Sequence, residues 1–520
     1  MDDALLDRAF ARASGAPRRT GNVVRLLKDA AENYPAWLDA IAAARRTVHC
    51  EMYIIHDDQE GARFAEAMMR KAREGVAVRM LYDWMGARGA TPSWFWHRMR
   101  RAGIEVRCYN PPQVALPLGW ISRDHRKTIV VDGTIAFVTG LCIGQAWVGN
   151  PAKNVGGWRD TGIELRGPAV ADVESAFADS WATAGDRLPP QPASEATQPV
   201  GDMAVRVVAT APAKLGLFRI DQFVASIASR NLWLTDAYYG GDASYVQALR
   251  AAARDGVDVR LLVPGATDLP VFRPVSRAGY RPLLEAGIRV FEWNGSMIHA
   301  KTAVADGRWA RVGSTNLNIA SWLGNRELDV IVEDERFGAA METMFLEDLK
   351  NATEVVLAAN RVQAVGGATR PASAAGGSSG RAMAGALRVG STVAASISNT
   401  RVLEPVEAII AVAGGVVLGF IAWLAYFFPR GFSYPFAFLV AWVAAAVLLR
   451  GLALSRGNRL AAGTPKALLP TGRHGPKHER ENPEQKRDRA LASSLHNTGY
   501  DARRGEAATS AASAGANTST

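Results

Sequence analysis

A chain of 520 residues has room for about three domains at the usual ~100–200 residues each, and 48% hydrophobic with 21% charged residues excludes wholesale disorder. Three scattered cysteines, Cys50, Cys108 and Cys142, exclude a disulfide scaffold or a cysteine zinc ribbon. The net charge of +10 is unevenly placed, with 14 basic against 8 acidic residues in 401–520 and 46 against 42 in 1–400, so a basic flank lies beside the most apolar segments and suits an anionic membrane surface better than nucleic acid.

In chain order, residues 1–20 are charged, lack the apolar core of a secretory signal and read as an N-terminal tail. Residues 21–188 alternate apolar and amphipathic segments. Residues 47–55 (TVHCEMYII) predict a buried strand. Residues 61–74 predict a helix with Phe64, Met68, Met69 and Ala72 on one face, and residues 76–82 (VAVRMLY) the next strand. Strand–helix–strand order implies a right-handed crossover and a parallel or mixed sheet. The pattern then recurs. Residues 231–239 parallel 47–55, residues 251–262 parallel 71–81, and 285–290 parallel 101–106, at offsets of 181 to 184 residues. Three matches in one order point to a duplicated α/β lobe, the second over 200–362, joined by a Pro/Ala/Gln-rich linker at 189–199.

Residues 363–404 are Gly/Ala/Ser-rich and read as a flexible linker. Residues 408–428 are 21 residues without a charge and 431–449 another 19, with aromatic residues crowding the turn between them. Each is long enough to cross a hydrocarbon core, so 405–450 reads as two transmembrane helices. Arginines flank the outer ends (Arg388, Arg401, Arg450, Arg456, Arg459) and only Arg430 the turn, which places both ends, and the lobes, on the cytoplasmic side of the cell inner membrane. Residues 451–520 read as a basic disordered tail.

Each lobe carries one His-x-Lys-x-x-x-x-Asp segment: His125, Lys127 and Asp132 in HRKTIVVD, and His299, Lys301 and Asp306 in HAKTAVAD, 174 residues apart. The apolar centres read as strands, so alternation points His and Lys to one face. These residues suit phosphoryl chemistry that needs no metal or other cofactor. Two lysines neutralise phosphate oxygens, one imidazole attacks phosphorus and the other moves the proton. The aspartates are expected to fix the imidazole tautomer, as an acidic third member does in other triads.

With these segments, with Gly313-Ser314-Thr315-Asn316 and Asn325-Arg326-Glu327, and with Cys50-Glu51-Met52-Tyr53-Ile54 and Trp158-Arg159-Asp160-Thr161, the sequence resembles the phospholipase D superfamily. The resemblance is closest to its bacterial cardiolipin synthase branch and covers about residues 21–350. It implies paired α-β-α lobes with a mixed sheet each, one active site at their interface and a phosphohistidine intermediate. It also implies phosphatidyl transfer to an alcohol, or hydrolysis when water is the acceptor. By resemblance His125 is the nucleophile and His299 the general acid and then base, with the reverse assignment left open by the symmetry of the lobes; Ser314 and Asn316 donate to phosphate or, as turn residues after a strand, cap it; Asp160 and Glu327, at matching places in the lobes, orient active-site groups. The sequence departs from the family at Thr139-Gly140-Leu141-Cys142, where Cys142 stands for the usual asparagine and a thiol is a poor replacement for an amide donor. The expected partners are a membrane phospholipid such as phosphatidylglycerol, an alcohol acceptor and an anionic membrane surface. A phosphodiesterase or nuclease is the lesser alternative, and nucleic acid is not the expected partner, because the lobes lack a basic stripe interleaved with aromatics.

Overall fold

The structure is a computed structural model that describes residues 3–113, 121–189, 198–265, 277, 279–358, 361–364, 416 and 419–462. In the first lobe β1 (Arg19–Lys28), α2 (Asp29–Ala43, after α1 at Asp3–Ser14), β2 (Thr47–Met52), α3 (Gln59–Arg73), β3 (Ala77–Asp83), α4 (Ser93–Arg101), β4 (Glu105–Tyr109), β5 (Lys127–Val131), β6 (Ile135–Thr139), β7 (Thr161–Arg166) and α5 (Val170–Thr183) follow one another. The second lobe answers with β8 (Met203–Ala209), α6 (Gly216–Ile227), β9 (Asn231–Thr235), α7 (Ala243–Arg254), β10 (Asp258–Pro264), β11 (Arg289–Trp293), β12 (Thr302–Ala305), β13 (Trp309–Gly313), β14 (Leu328–Glu333) and α8 (Glu335–Leu349), then β15 (Ala352–Ala358) and β16 (Arg361–Ala364).

The strand order within the lobes is the same, β1-β7-β6-β5-β2-β3-β4 and β8-β14-β13-β12-β9-β10-β11, with β15 and β16 added at the far edge of the second. In each, three strands run parallel (β2, β3, β4; β9, β10, β11) and the remainder pair antiparallel, so the sheet is mixed. The two sheets do not stay separate. β1 pairs antiparallel with β8 at Arg19↔Val205 and Asn22↔Met203, which fuses them into one 16-stranded sheet. This removes an exposed edge from each half.

Helices cover both faces. On one, α2, α3 and α4 close the first lobe around Trp37 and Phe64, both fully buried with ring centroids 6.0 Å apart, and α6 and α7 close the second around Leu249, Tyr245 and Trp322. On the other, apolar residues of α5 and α8 (Val170, Val173, Phe337, Phe345) share one core with strands of both lobes, so neither lobe buries its inner face alone.

Two readings of the termini need correction. Residues 1–20 are not a free tail: α1 is amphipathic, and Leu6, Phe10 and Ala13, at i, i+4 and i+7, pack into the second lobe's core. Phe10 meets Phe223 edge-on at 4.9 Å, and Asp7 pairs with the buried Arg206. The charges between these apolar residues disguise the stripe. At the other end, α9 (Pro429–Ala462) continues past residue 450 into the expected tail, through helix-favouring Leu, Ala and Arg. Among the described residues no helix is long and apolar enough to cross a membrane. Of the expected span 408–428, residues 416 and 419–428 are described and 419–427 are helical; the linkers 189–199 and 363–404 lie largely, and the tail beyond 462 wholly, outside the described residues.

Candidate active site

β5 and β12 occupy equivalent places beside β2 and β9, and each is preceded by its histidine segment. Those segments cross to the opposite lobe. The His125 backbone N–H donates to the Arg326 carbonyl at 2.9 Å and the His299 N–H to the Arg159 carbonyl at 2.7 Å, as part of the bridges Asp124↔Arg326 and Arg159↔Ile298. Arg326 and Arg159 each immediately precede an acid, so the exchange delivers one lobe's carboxylate to the other lobe's imidazole. Nδ1 of His125 lies 2.9 Å from Glu327 Oε2, and Nδ1 of His299 lies 2.7 Å from Asp160 Oδ2. An Nδ1–H held by a carboxylate leaves Nε2 with its lone pair free. Both imidazoles line one cavity of about 450 Å³ with Lys127, Cys142, Tyr53, Trp147, Trp158 and Tyr238.

The carboxylates are themselves held. Asp160 accepts from Trp147 Nε1 at 3.0 Å and from the Thr161 N–H at 2.8 Å; Glu327 accepts from Ser314 Oγ at 2.6 Å and Asn325 Nδ2 at 3.0 Å. Burial alone would raise both acids, but the neighbouring imidazoles and lysines hold them below the ordinary carboxylate range. Burial pushes His125 down to about 4, opposed by Glu327 and aided by Lys127, and pushes His299 down to about 3, aided by Lys301 and opposed by Asp160. Burial likewise takes Lys301 down to about 8. The cavity is thus lined by two neutral imidazoles and Lys127, with the ionised carboxylates and Lys301 buried next to the imidazoles, an arrangement that offers a phosphodiester anion cationic and polar partners.

These shifts carry a consequence for stability. An unfolded histidine takes up a proton near pH 6.5, whereas the buried pair resists until about pH 4 and 3, so between those limits the unfolded chain binds more protons. Stability is therefore expected to rise with pH across that window and to be lost as pH falls through it. Urea midpoints measured from pH 4 to 7 should show a steeper slope for the wild type than for His299→Asn.

Asp132 and Asp306 are not imidazole partners. Each stands past the far end of its strand, roughly 23 Å along the extended chain from its own histidine, in the left-handed region at φ 52° and 53°. Asp132 accepts the backbone N–H groups of Arg45, Arg46 and Thr47 at 2.7–2.8 Å, and Asp306 those of Ser229, Arg230 and Asn231 at 2.7–3.1 Å. They pin the chain where it enters β2 and β9. Asp306→Ala is expected to cost about 1–3 kcal/mol of stability while changing turnover of the folded protein by less than about ten-fold, measured by urea unfolding and lipid assay.

Ser314 is committed as well: its hydroxyl donates to Glu327 and accepts the Leu328 N–H at 3.0 Å, so it positions a carboxylate rather than facing phosphate. Asn316 is buried, with no hydrogen-bond partner on its amide oxygen among the described residues, and stands outside the cavity lining. Cys142, at the matching position of the first lobe, does line the cavity, its thiol pushed up by burial.

The aromatic walls went unassigned by sequence. Tyr53 stands edge-on to His125 at 4.9 Å with Lys127 Nζ 5.1 Å from its ring. Trp147, Trp158 and Tyr238 surround His299 at 5.5–5.8 Å. Tyr53 and Trp158 lie inside the segments that carry the family resemblance, which was the available signal.

With this geometry in view, the chain can be set beside known proteins. The family described as "Cardiolipin synthase, PLD-like domain" matches residues 37–146 and 224–349, which contain the two histidine segments. Cardiolipin synthase A of Pseudomonas aeruginosa is 33% identical over 368 residues, covering 69% of this chain and 74% of that protein. The cardiolipin synthase of Halalkalibacterium halodurans is 32% identical over 357 residues, covering 68% and 71%. The crystal structure of phosphatidylserine synthase from Haemophilus influenzae is similar with a TM-score of 0.53 at 14% identity, over 67% of this chain and 91% of that one, a likeness of fold alone.

Proposed function

The chain belongs to the phospholipase D superfamily, in its cardiolipin synthase-like branch, and is a phosphatidyltransferase of that type; from this premise we propose that His125 carries the phosphatidyl group between two alcohols. The supporting observation is the reciprocal exchange between the lobes, taken as residues 21–188 and 200–362, which sets two carboxylate-held imidazoles on one cavity. Nε2 of neutral His125 attacks the donor phosphorus, forming a P–N bond as the P–O bond to the glycerol headgroup breaks. His299 gives that oxygen its proton. The negative phosphodiester raises His299 from its value of about 3, and Asp160 favours the same charged form. Lys127 and Lys301 neutralise the phosphoryl oxygens. In the second half His299, now neutral, takes the proton from an acceptor hydroxyl, whose oxygen displaces Nε2 of His125 and restores it.

The donor in this proposal is phosphatidylglycerol or a similar phospholipid. The segments 408–428 and 431–449 cross the cell inner membrane as a hairpin with the lobes on the cytoplasmic side. The reading draws on their uncharged lengths, the aromatic turn and the flanking arginines. Purified full-length protein in phosphatidylglycerol vesicles is expected to release one glycerol for each cardiolipin formed. Phosphatidic acid as the sole product would mark hydrolysis instead, and no lipid product with any added alcohol would overturn the proposal.

A further inference from the structure

Running on from the cavity wall, residues 84–104 hold four arginines and three tryptophans and no acidic residue. The first part of this stretch, Met85, Gly86, Arg88, Gly89 and Ala90, lines the cavity. The second part is α4, which buries Phe95, Trp96 and Met99 and leaves Trp94, His97, Arg98 and Arg101 exposed. These four fall at i, i+3, i+4 and i+7 and form one outward stripe. Trp94 keeps 54% of its surface exposed, Arg98 lies 5.8 Å over its ring, and Arg88 lies 5.4 Å over Trp84. With Met69 and Arg73 of α3 the stripe walls a shallow depression of about 400 Å³. The one acid there, Glu66, is paired with Arg73 at 3.3 Å, which leaves Arg98 and Arg101 without a carboxylate partner among the described residues. From Ala90 on the cavity wall to Trp94 is four residues, at most about 14 Å of chain.

An exposed indole beside unpaired guanidinium groups fits a lipid–water boundary, where the ring settles at headgroup depth and the cations take phosphates. We propose that the α4 face docks on the anionic phospholipid headgroups of a bilayer and sets the cavity mouth against the leaflet that supplies the substrate. This deepens the phosphatidyl-transfer reading and rests on it.

The test compares full-length wild type with Arg98→Glu/Arg101→Glu and Trp94→Ala on two presentations of phosphatidylglycerol. One is long-chain lipid in vesicles and the other a dihexanoyl form kept monomeric. The double variant is expected to lose roughly ten-fold or more of the vesicle rate while staying within about two-fold of wild type on the monomeric lipid. Added salt should slow the wild type on vesicles and not the double variant. Unchanged vesicle rates would overturn the proposal and assign the face to another ligand, such as an acidic protein. Equal loss on both presentations would overturn it too. The milder Arg98→Gln/Arg101→Gln pair decides the matter if charge reversal prevents folding. A wild type inactive on both lipids would instead sink phosphatidyl transfer itself.

Discussion

Replacing His125 with alanine is expected to cut phosphatidyl transfer by about 10⁴-fold or more, because it removes the atom that bonds to phosphorus. His299→Ala should cost about 10²–10⁴-fold on the natural lipid, the usual worth of a general acid and base. A donor with a nitrophenyl leaving group separates the roles, since nitrophenolate departs without protonation. On that donor His299→Ala should release a burst of nitrophenol, about one per chain. It should then stall, because no base remains to activate the acceptor. His125→Ala should give no burst. A burst from His125→Ala and none from His299→Ala would exchange the assignments. Both side chains sit at the cavity, so melting curves recorded alongside confirm that each variant folds.

The second large effect comes from the carboxylates that cross the lobe interface. Asp160→Asn and Glu327→Gln each keep the shape of the acid but can turn an amide N–H toward Nδ1, which forces the proton onto Nε2. A loss of about 10²–10⁴-fold is expected for each. The pairing makes a sharper forecast. Asp160→Asn should cost little further in a chain already carrying His299→Ala, since it acts through that imidazole, and its effect should add fully to Glu327→Gln only at the level of separate steps. If Asp160→Asn is as harmful in the His299→Ala background as in wild type, the 2.7 Å contact is not how it acts. Its bonds to Trp147 and Thr161 make thermal melting a necessary companion measurement.

The sequence displays the duplication, the two histidine segments and the mixed sheet because each is written in local order or repeated at a fixed offset. It hides what depends on chain crossing in space. Asp160 and His299 are 139 residues apart, and nothing in either segment says that their backbones bridge. Asp132 and Asp306 mislead for the same reason. Their spacing from histidine is regular, yet an extended strand carries them to its far end, where the left-handed turn and three backbone N–H groups explain the residue type. Ser314 looks like a phosphate donor until Glu327 is seen to accept its hydroxyl hydrogen. The docked α1 escapes notice because a 12-residue helix with charges between its apolar positions resembles a solvated end. The fused sheet is invisible because two contacts, Arg19↔Val205 and Asn22↔Met203, decide it.

The most direct measurement is to feed the full-length protein phosphatidylglycerol radiolabelled at phosphorus, quench in base to preserve a P–N bond, and map the labelled peptide. The expected result is label at His125 in the wild type, absent from His125→Ala, and accumulating in His299→Ala when the labelled donor carries the nitrophenyl leaving group instead of glycerol. Label at His299 in the His125→Ala chain, or steady lipid transfer with no labelled histidine at any time, would contradict it.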